Sequence, residues 1–258
     1  MNASTRECDI QALLRQRLCA WFDTPLGRSL QATEAHRLRA IWPQLYGTVA
    51  LQLGHIGRHD LMEGVLAPTR ILLDVPDIHG FNNVAPVHGV ADALPFETRS
   101  VDLVLLPHTL EFSTDPHQVL REVQRVLAPE GHVVILGFNP FSLWGLWRLF
   151  ARQQGRAPWC GQFLHLTHVK DWLALLEFEP TQGKMLYYRP PLTNERIMER
   201  LFSLEKAGDR WWPMAAGVYL LVAKKRVPGM TALRPVWKTR PVPVTAVAKP
   251  VARGLRHG

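Results

Sequence analysis

The stretch from Ala85 to Phe138 leaves the chain few folds to choose from. A short strand ends in Asp92-Ala93-Leu94-Pro95-Phe96, and a nearly continuous apolar strand follows, Val101-Asp102-Leu103-Val104-Leu105-Leu106. An amphipathic helix, a Pro129-Glu130-Gly131 turn and another strand, Val133 to Leu136, complete it. A strand apolar on both faces must be covered on both, which is the habit of parallel sheets. The β-loop-β-α-β order is therefore half of an open α/β sheet. Thr114 or Asp115 caps the helix and Pro116 takes its first position. Val119, Leu120, Val123, Val126 and Leu127 make its buried stripe, so the helix is scaffold.

The same residues carry a resemblance. Asp92-Ala93-Leu94-Pro95-Phe96 is followed by Val101-Asp102-Leu103-Val104, then Leu110-Glu111-Phe112-Ser113-Thr114-Asp115-Pro116, then Glu122-Val123-Gln124-Arg125-Val126-Leu127-Ala128-Pro129-Glu130-Gly131. In order and spacing these resemble the second half of a class I S-adenosylmethionine (SAM)-dependent methyltransferase. The group in question includes the ubiquinone/menaquinone methyltransferases, and the resemblance covers roughly residues 47–225. It implies an α/β fold: a Rossmann-like seven-stranded sheet, mostly parallel with an antiparallel last strand, and helices on both faces. It also implies SAM as cofactor and methyl transfer to an unidentified acceptor, small or apolar.

The first glycine turn departs from that family. Gly47 to Arg58 runs as strand, glycine turn and helix start, where the family reads L-D-L-G-C-G-T-G. Glycines there let the backbone approach the cofactor, with a helix N-terminus aimed at it. Gly54 matches and Gly57 is shifted by one, but Gln52 stands in place of an acid, Ile56 in place of the second glycine and Arg58 in place of the third. SAM carries a net positive charge, so losing a nearby carboxylate removes an attraction on the order of 1–3 kcal/mol in a partly desolvated site. The Gln52 amide oxygen can still accept a hydrogen bond. Ile56 and Arg58 narrow the turn. These departures open a second expectation, a methyltransferase-like binding module that has lost or weakened its hold on SAM.

The remaining cofactor candidates lie at strand ends. Asp74 follows the second strand 20 residues after Gly54, which suits ribose hydroxyls, although a strand-end Asp can also cap a turn. By the resemblance, Asp92 sits beside the adenine amino group and the backbone amide of Ala93 meets the ring. His108 leaves the fourth strand at the end where ligands of open α/β sheets sit, and is expected to line the cofactor or to act as a base. The expected cofactor set is thus Gln52, Gly54, Gly57, Asp74, Asp92, Ala93 and His108. Transfer from a sulfonium needs positioning more than a dedicated base, and no catalytic residue is assigned. His55 and His59 have the i, i+4 spacing of a metal pair, but His55 lies in the turn and no third ligand is indicated, so no metal is expected.

The flanks add three features. Residues 1–46 read as a helical cap, with Ile10, Leu13, Leu14, Leu18 and Trp21-Phe22 on one face and a break at Thr24-Pro25-Leu26-Gly27. After the fifth strand, Asn139 to Phe150 suggests a helix whose Trp144, Trp147 and Phe150 either meet an apolar substrate or a membrane interface, or pack on the domain. A helix over Thr167 to Glu179, a strand over Met185 to Tyr188, a helix from Thr193 to Leu204 and a last strand over Gly217 to Lys225 follow, which closes the methyltransferase domain, residues 47–225.

Residues 226–258 form a basic, proline-rich segment that reads as a disordered tail. From Lys224 onward there are nine Lys and Arg and no acid, so the chain's formal charge of +8 belongs to the tail and the body is near neutral. The tail could make weak contact with nucleic acid or an anionic membrane, and no specific protein partner is expected. Cys8, Cys19 and Cys160 are scattered and odd in number, and the N-terminus is polar, so a cytoplasmic protein with reduced thiols is expected.

Overall fold

The computed structural model describes residues 3–73, 84–151, 157–191 and 215–226, with side chains from residue 13 onward. Met1–Val227 form one compact unit, and Pro228–Gly258, most of the basic tail, lie outside the described residues. So does the helix expected over Thr193 to Leu204.

Seven strands make one sheet in the order β3-β2-β1-β4-β5-β7-β6. They are β1 (Val49–Leu53), β2 (Thr69–Leu73), β3 (Val84–Val87), β4 (Val101–Pro107), β5 (Leu127–Phe138), β6 (Phe178–Leu186) and β7 (Val218–Lys225). β1 to β5 pair in parallel, and β7 runs antiparallel to both its neighbours, β5 and β6. The sheet is the Rossmann-like one expected from the sequence.

Alternation along the central strands divides the core into two layers. Leu103 and Leu105 of β4, Val134 and Leu136 of β5, and Leu220 and Val222 of β7 face one side. There they pack with α1 (Ala3–Phe22), α2 (Pro25–Ile41) and Trp144 of α4 (Leu143–Ala151). Val104 and Leu106, Val133 and Ile135, and Tyr219 and Leu221 face the other side, under α3 (Pro116–Val126) and α5 (Leu166–Leu175). Of the two candidate caps of α3, Asp115 serves: its side chain accepts from the Gln118 N–H at 3.0 Å. Thr24 caps α2 in the same way, accepting from Gly27 N–H.

The structure shifts several boundaries. Pro129-Glu130-Gly131 lies within β5, where the pairing register slips between Val101 and Leu103 and Glu130 takes φ 63°. β6 begins at Phe178, seven residues before the strand expected at Met185, because its pairing with β7 extends to the end of that strand. β3 ends at Val87, and residues 88–93 leave it as a loop before the Leu94-Pro95-Phe96 segment. The largest difference is at the glycine turn: no helix starts there, and residues 54–68 are bends and turns. None of the described helices is long and apolar enough to cross a membrane.

Candidate active site

From β1 the sheet grows through β2 to β3 on one side and through β4 to β5 on the other, so the chain order reverses between β1 and β4. Ligands of open α/β sheets sit outside the carboxyl ends of the strands at such a switch point. Gly54 stands there, directly after β1, with φ 84°. Its N–H donates to Leu73 O at 3.2 Å, and among the described residues no atom beyond its chain neighbours lies within 4 Å of where a Cβ would be. Glycine adopts this backbone without a Cβ penalty and leaves its face open. Gln52 is buried, and its Nε2 donates to Gly54 O at 2.9 Å, so this amide shapes the turn from within. Thr109 Oγ1 donates to Leu53 O at 2.7 Å and ties the ends of β4 and β1 together.

Beyond Gly54 the turn is held by α2. Gln31 Oε1 accepts from the N–H groups of Arg58 at 3.0 Å and His59 at 3.3 Å, and its Nε2 donates to Ile56 O. Gly57 is the point of contact: at φ 60°, an added Cβ would lie 2.3 Å from Gln31 Oε1. A side-chain amide thus satisfies the backbone groups that a following helix would otherwise organise. Ile56 is buried, while Arg58 turns outward to Asp23, with Nε 2.8 Å from Oδ1. Cys19 Sγ donates to His55 O at 3.1 Å, and burial raises this thiol above its ordinary range and lowers the pKa of His55.

His108 is not at an open cleft edge. Its side chain has no exposure, because α2 lies over it and Phe138 stacks on its ring at 4.1 Å. Nε2 is 2.8 Å from Glu34 Oε1 of α2, and Nδ1 is 3.3 Å from Glu111 Oε1. Glu111 Oε1 also accepts from the Phe138 N–H at 2.6 Å. Burial opposes a charge on the ring, but the charges of Glu34 and Glu111 and their hydrogen bonds outweigh it and hold the pKa at about 9. The ring therefore keeps both protons at neutral pH. The second oxygens of Glu34 and Glu111 are buried and have no hydrogen-bond partner among the described residues. Reading the sequence by spacing missed Gln31 and Glu34. The signal was present: both fall on the face of α2 that buries Leu30, Ala35 and Leu38.

Asp92 lies half-buried in the loop between β3 and β4, and its carboxyl makes no hydrogen bond or ion pair with any described residue. Only its backbone oxygen is used, accepting from Gln118 Nε2 at 3.2 Å. The Ala93 N–H, expected to meet the adenine ring, donates to Val90 O at 3.2 Å and closes a tight turn. Asp74 lies outside the described residues. Among those residues, no group of three or more His, Cys, Asp or Glu is placed to hold a metal ion.

The sequence profile of a methyltransferase domain matches residues 60–135. The Escherichia coli K12 protein YafS is 32% identical over 170 residues, 66% of this chain and 69% of that one. The chain belongs to the class I SAM-dependent methyltransferases. The ubiquinone/menaquinone biosynthesis C-methyltransferase of Hahella chejuensis is 44% identical over 62 residues, only 24% of this chain and 25% of that protein. A SAM-dependent methyltransferase from Mesorhizobium loti shares the fold with a TM-score of 0.53 at 17% identity, over 75% of this chain and 98% of its own. The family's cofactor is SAM, and among the described residues Gly54 presents an open face and the Asp92 carboxyl has no hydrogen bond or ion pair, so both are free to meet it. Gln31 occupies the backbone groups of the turn that follows Gly54.

Proposed function

We propose that this methyltransferase passes the methyl group of SAM to a small, apolar acceptor held beside the ends of β4 and β5. The name of the Hahella relative, which places it in quinone biosynthesis, carries this reading, and an aromatic cluster fills the core at the end of β5. Phe138 stacks on Phe163 at 5.0 Å and on Trp144 at 5.8 Å, and Trp21 of α1 meets it edge-on at 6.2 Å. Trp159 and Tyr187 extend the cluster, 5.6 and 5.5 Å from Trp144. All of these rings except Trp21 are buried, so they exclude water from the core around the strand ends and do not themselves face the acceptor. Quinone precursors are apolar, which is why that name supports an apolar acceptor.

When bound, SAM supplies an electrophilic methyl group on a sulfonium. Gly54 admits the cofactor close to the backbone, Asp92 accepts from an exocyclic amine, and Asp74, by its position in the sequence, receives ribose hydroxyls. An acceptor held beside the methyl group gains by proximity, which can supply about 7–11 kcal/mol of a barrier. His108 is sealed and already protonated, so it does not take a proton from the acceptor.

Calorimetric titration with S-adenosylhomocysteine tests cofactor binding, and incubation of extracts with methyl-labelled SAM tests the acceptor. Label is expected in the organic-extractable fraction. Label confined to protein or nucleic acid would overturn the acceptor class. The hold of Gln31 on the turn favours a second reading, a binding module without turnover. A folded protein that gives no heat with millimolar S-adenosylhomocysteine would select it.

A further inference from the structure

The polar face of α3 is as ordered as its apolar stripe. Gln118, Glu122 and Arg125 stand at i, i+4 and i+7, on one side of the helix. That side holds the loop that leaves β3. Gln118 Nε2 donates to Asp92 O at 3.2 Å, and Glu122 Oε2 accepts from the Leu94 N–H at 2.9 Å. Arg125 donates from Nη2 to Leu94 O at 2.9 Å and from Nη1 to Phe96 O at 2.8 Å. The three side chains are fixed in turn. Arg125 meets both oxygens of Glu122, at 3.0 and 2.8 Å. Arg121 Nε donates to Gln118 Oε1 at 2.9 Å, which turns the amide nitrogen toward the loop.

The loop runs against the direction of α3. Asp92 meets Gln118 in the first turn of the helix, and the Ser100 N–H donates to O of Val126, its last residue, at 2.9 Å. α3 follows β4, so its first turn lies at the carboxyl ends of the strands, the edge where Gly54 stands. Asp92 is thus at the cofactor end of a segment whose backbone is held at four points. Its half-buried carboxyl makes no hydrogen bond or ion pair among the described residues. An acceptor with a fixed backbone and an unbonded side chain is ordered before a ligand arrives, which strengthens and sharpens binding. We propose that the Gln118, Glu122 and Arg125 face of α3 positions Asp92 against the exocyclic amine of the cofactor's purine, and so makes the site selective for a 6-aminopurine. The proposal rests on the cofactor role given to Asp92 above. The three are positioning residues: they bond to the backbone of the loop and act through Asp92.

The test compares S-adenosylhomocysteine with its analogue carrying hydrogen in place of the 6-amino group, by titration calorimetry of the full-length protein. The wild type is expected to prefer the amine by about tenfold to a hundredfold, the range for a hydrogen bond to a charged group. Gln118→Met removes one anchor at a half-buried position. It is expected to cut that preference by about threefold or more, with the affinity for the analogue and the thermal melt nearly unchanged. Arg125→Met removes two anchors and should cut it further, and Arg125→Lys should restore part of it. In an Asp92→Ala background none of these substitutions is expected to move the ratio. A helix that only supported the fold would lower both affinities alike. An unchanged ratio in Gln118→Met, or an equal loss for both ligands, therefore overturns the proposal, and this variant decides the question if Arg125→Met does not fold. Equal affinities in the wild type overturn it through Asp92 and leave SAM as the cofactor. No heat with either nucleoside from a folded protein overturns the cofactor site and the positioning role together.

Discussion

A protonated imidazole sealed between two carboxyl groups makes stability depend on pH in a defined direction. His108 keeps its proton in the folded protein up to about pH 9, whereas an unfolded chain releases it near pH 6.5. A raised folded pKa contributes stability that is whole below the unfolded value and is lost as pH rises through the folded one. The unfolding temperature is therefore expected to decline between about pH 6.5 and pH 9, by a free energy on the order of 3 kcal/mol. Glu34→Gln keeps a hydrogen-bonding group against Nε2 but removes the charge, so its melts across that window should be flatter and lower at neutral pH. An unchanged slope would remove His108 as the cause. At the cofactor edge, Gly54→Ala forces a Cβ onto a left-handed backbone, a cost of about 1–2 kcal/mol, with no clash against the described residues to add to it. S-adenosylhomocysteine affinity should fall further, by about tenfold or more, because the Cβ fills space the cofactor needs. Asp92→Asn should weaken the same ligand by roughly fivefold to tenfold at an unchanged unfolding temperature, since its carboxyl makes no hydrogen bond or ion pair with the described residues. Titration calorimetry and thermal melts check both variants.

At the scale of elements, α2 does work that the turn after β1 leaves undone. One buried amide, Gln31, holds three backbone groups of residues 56–59. Gln31→Ala would leave them without partners, at a cost of about 1–3 kcal/mol. Amide hydrogen exchange at Arg58 and His59 should accelerate selectively, while exchange in β4 and β5 changes only with global stability. Uniform acceleration would mean that Gln31 supports the whole fold and not the turn. The departures in the glycine motif explain the arrangement. Ile56 brings an apolar side chain that is buried, and Arg58 brings a charge that turns out to Asp23. The strand ends nevertheless keep the spacing of the fold, because Thr109 bonds across to Leu53.

For the whole molecule, α1 and α2 belong to the core and are not a detachable lid. Leu18, Phe22, Leu30, Leu38 and Trp42 share one apolar layer with Ala50, Leu103 and Leu105. Removing residues 1–46 would expose that side of the sheet and leave His108 without Glu34. The truncated chain is expected to lose cooperative unfolding and to bind hydrophobic dyes. A sharp, two-state denaturant transition from it would show the helices to be dispensable.

Much of this was legible in the chain. Periodicity, the cap at Asp115 and the doubly apolar β4 are local signals, and they specified the sheet, the helices on its faces and Gly54 at the end of β1, whereas Asp92, expected at a strand end, lies in a loop five residues past β3. Proximity across distant segments was not legible. His108 and Glu34 are 74 residues apart, and Gln31 meets Arg58 across 27. Spacing marks a histidine at a strand end as exposed to ligand, and only the packing of α2 over it made that histidine a buried ion partner. The helix expected after the glycine turn failed for the same reason, since a side chain from another element satisfied the backbone first. Local chemistry decides which elements form, while the partners of their polar groups are decided where the elements meet, and that is a property of the folded molecule alone.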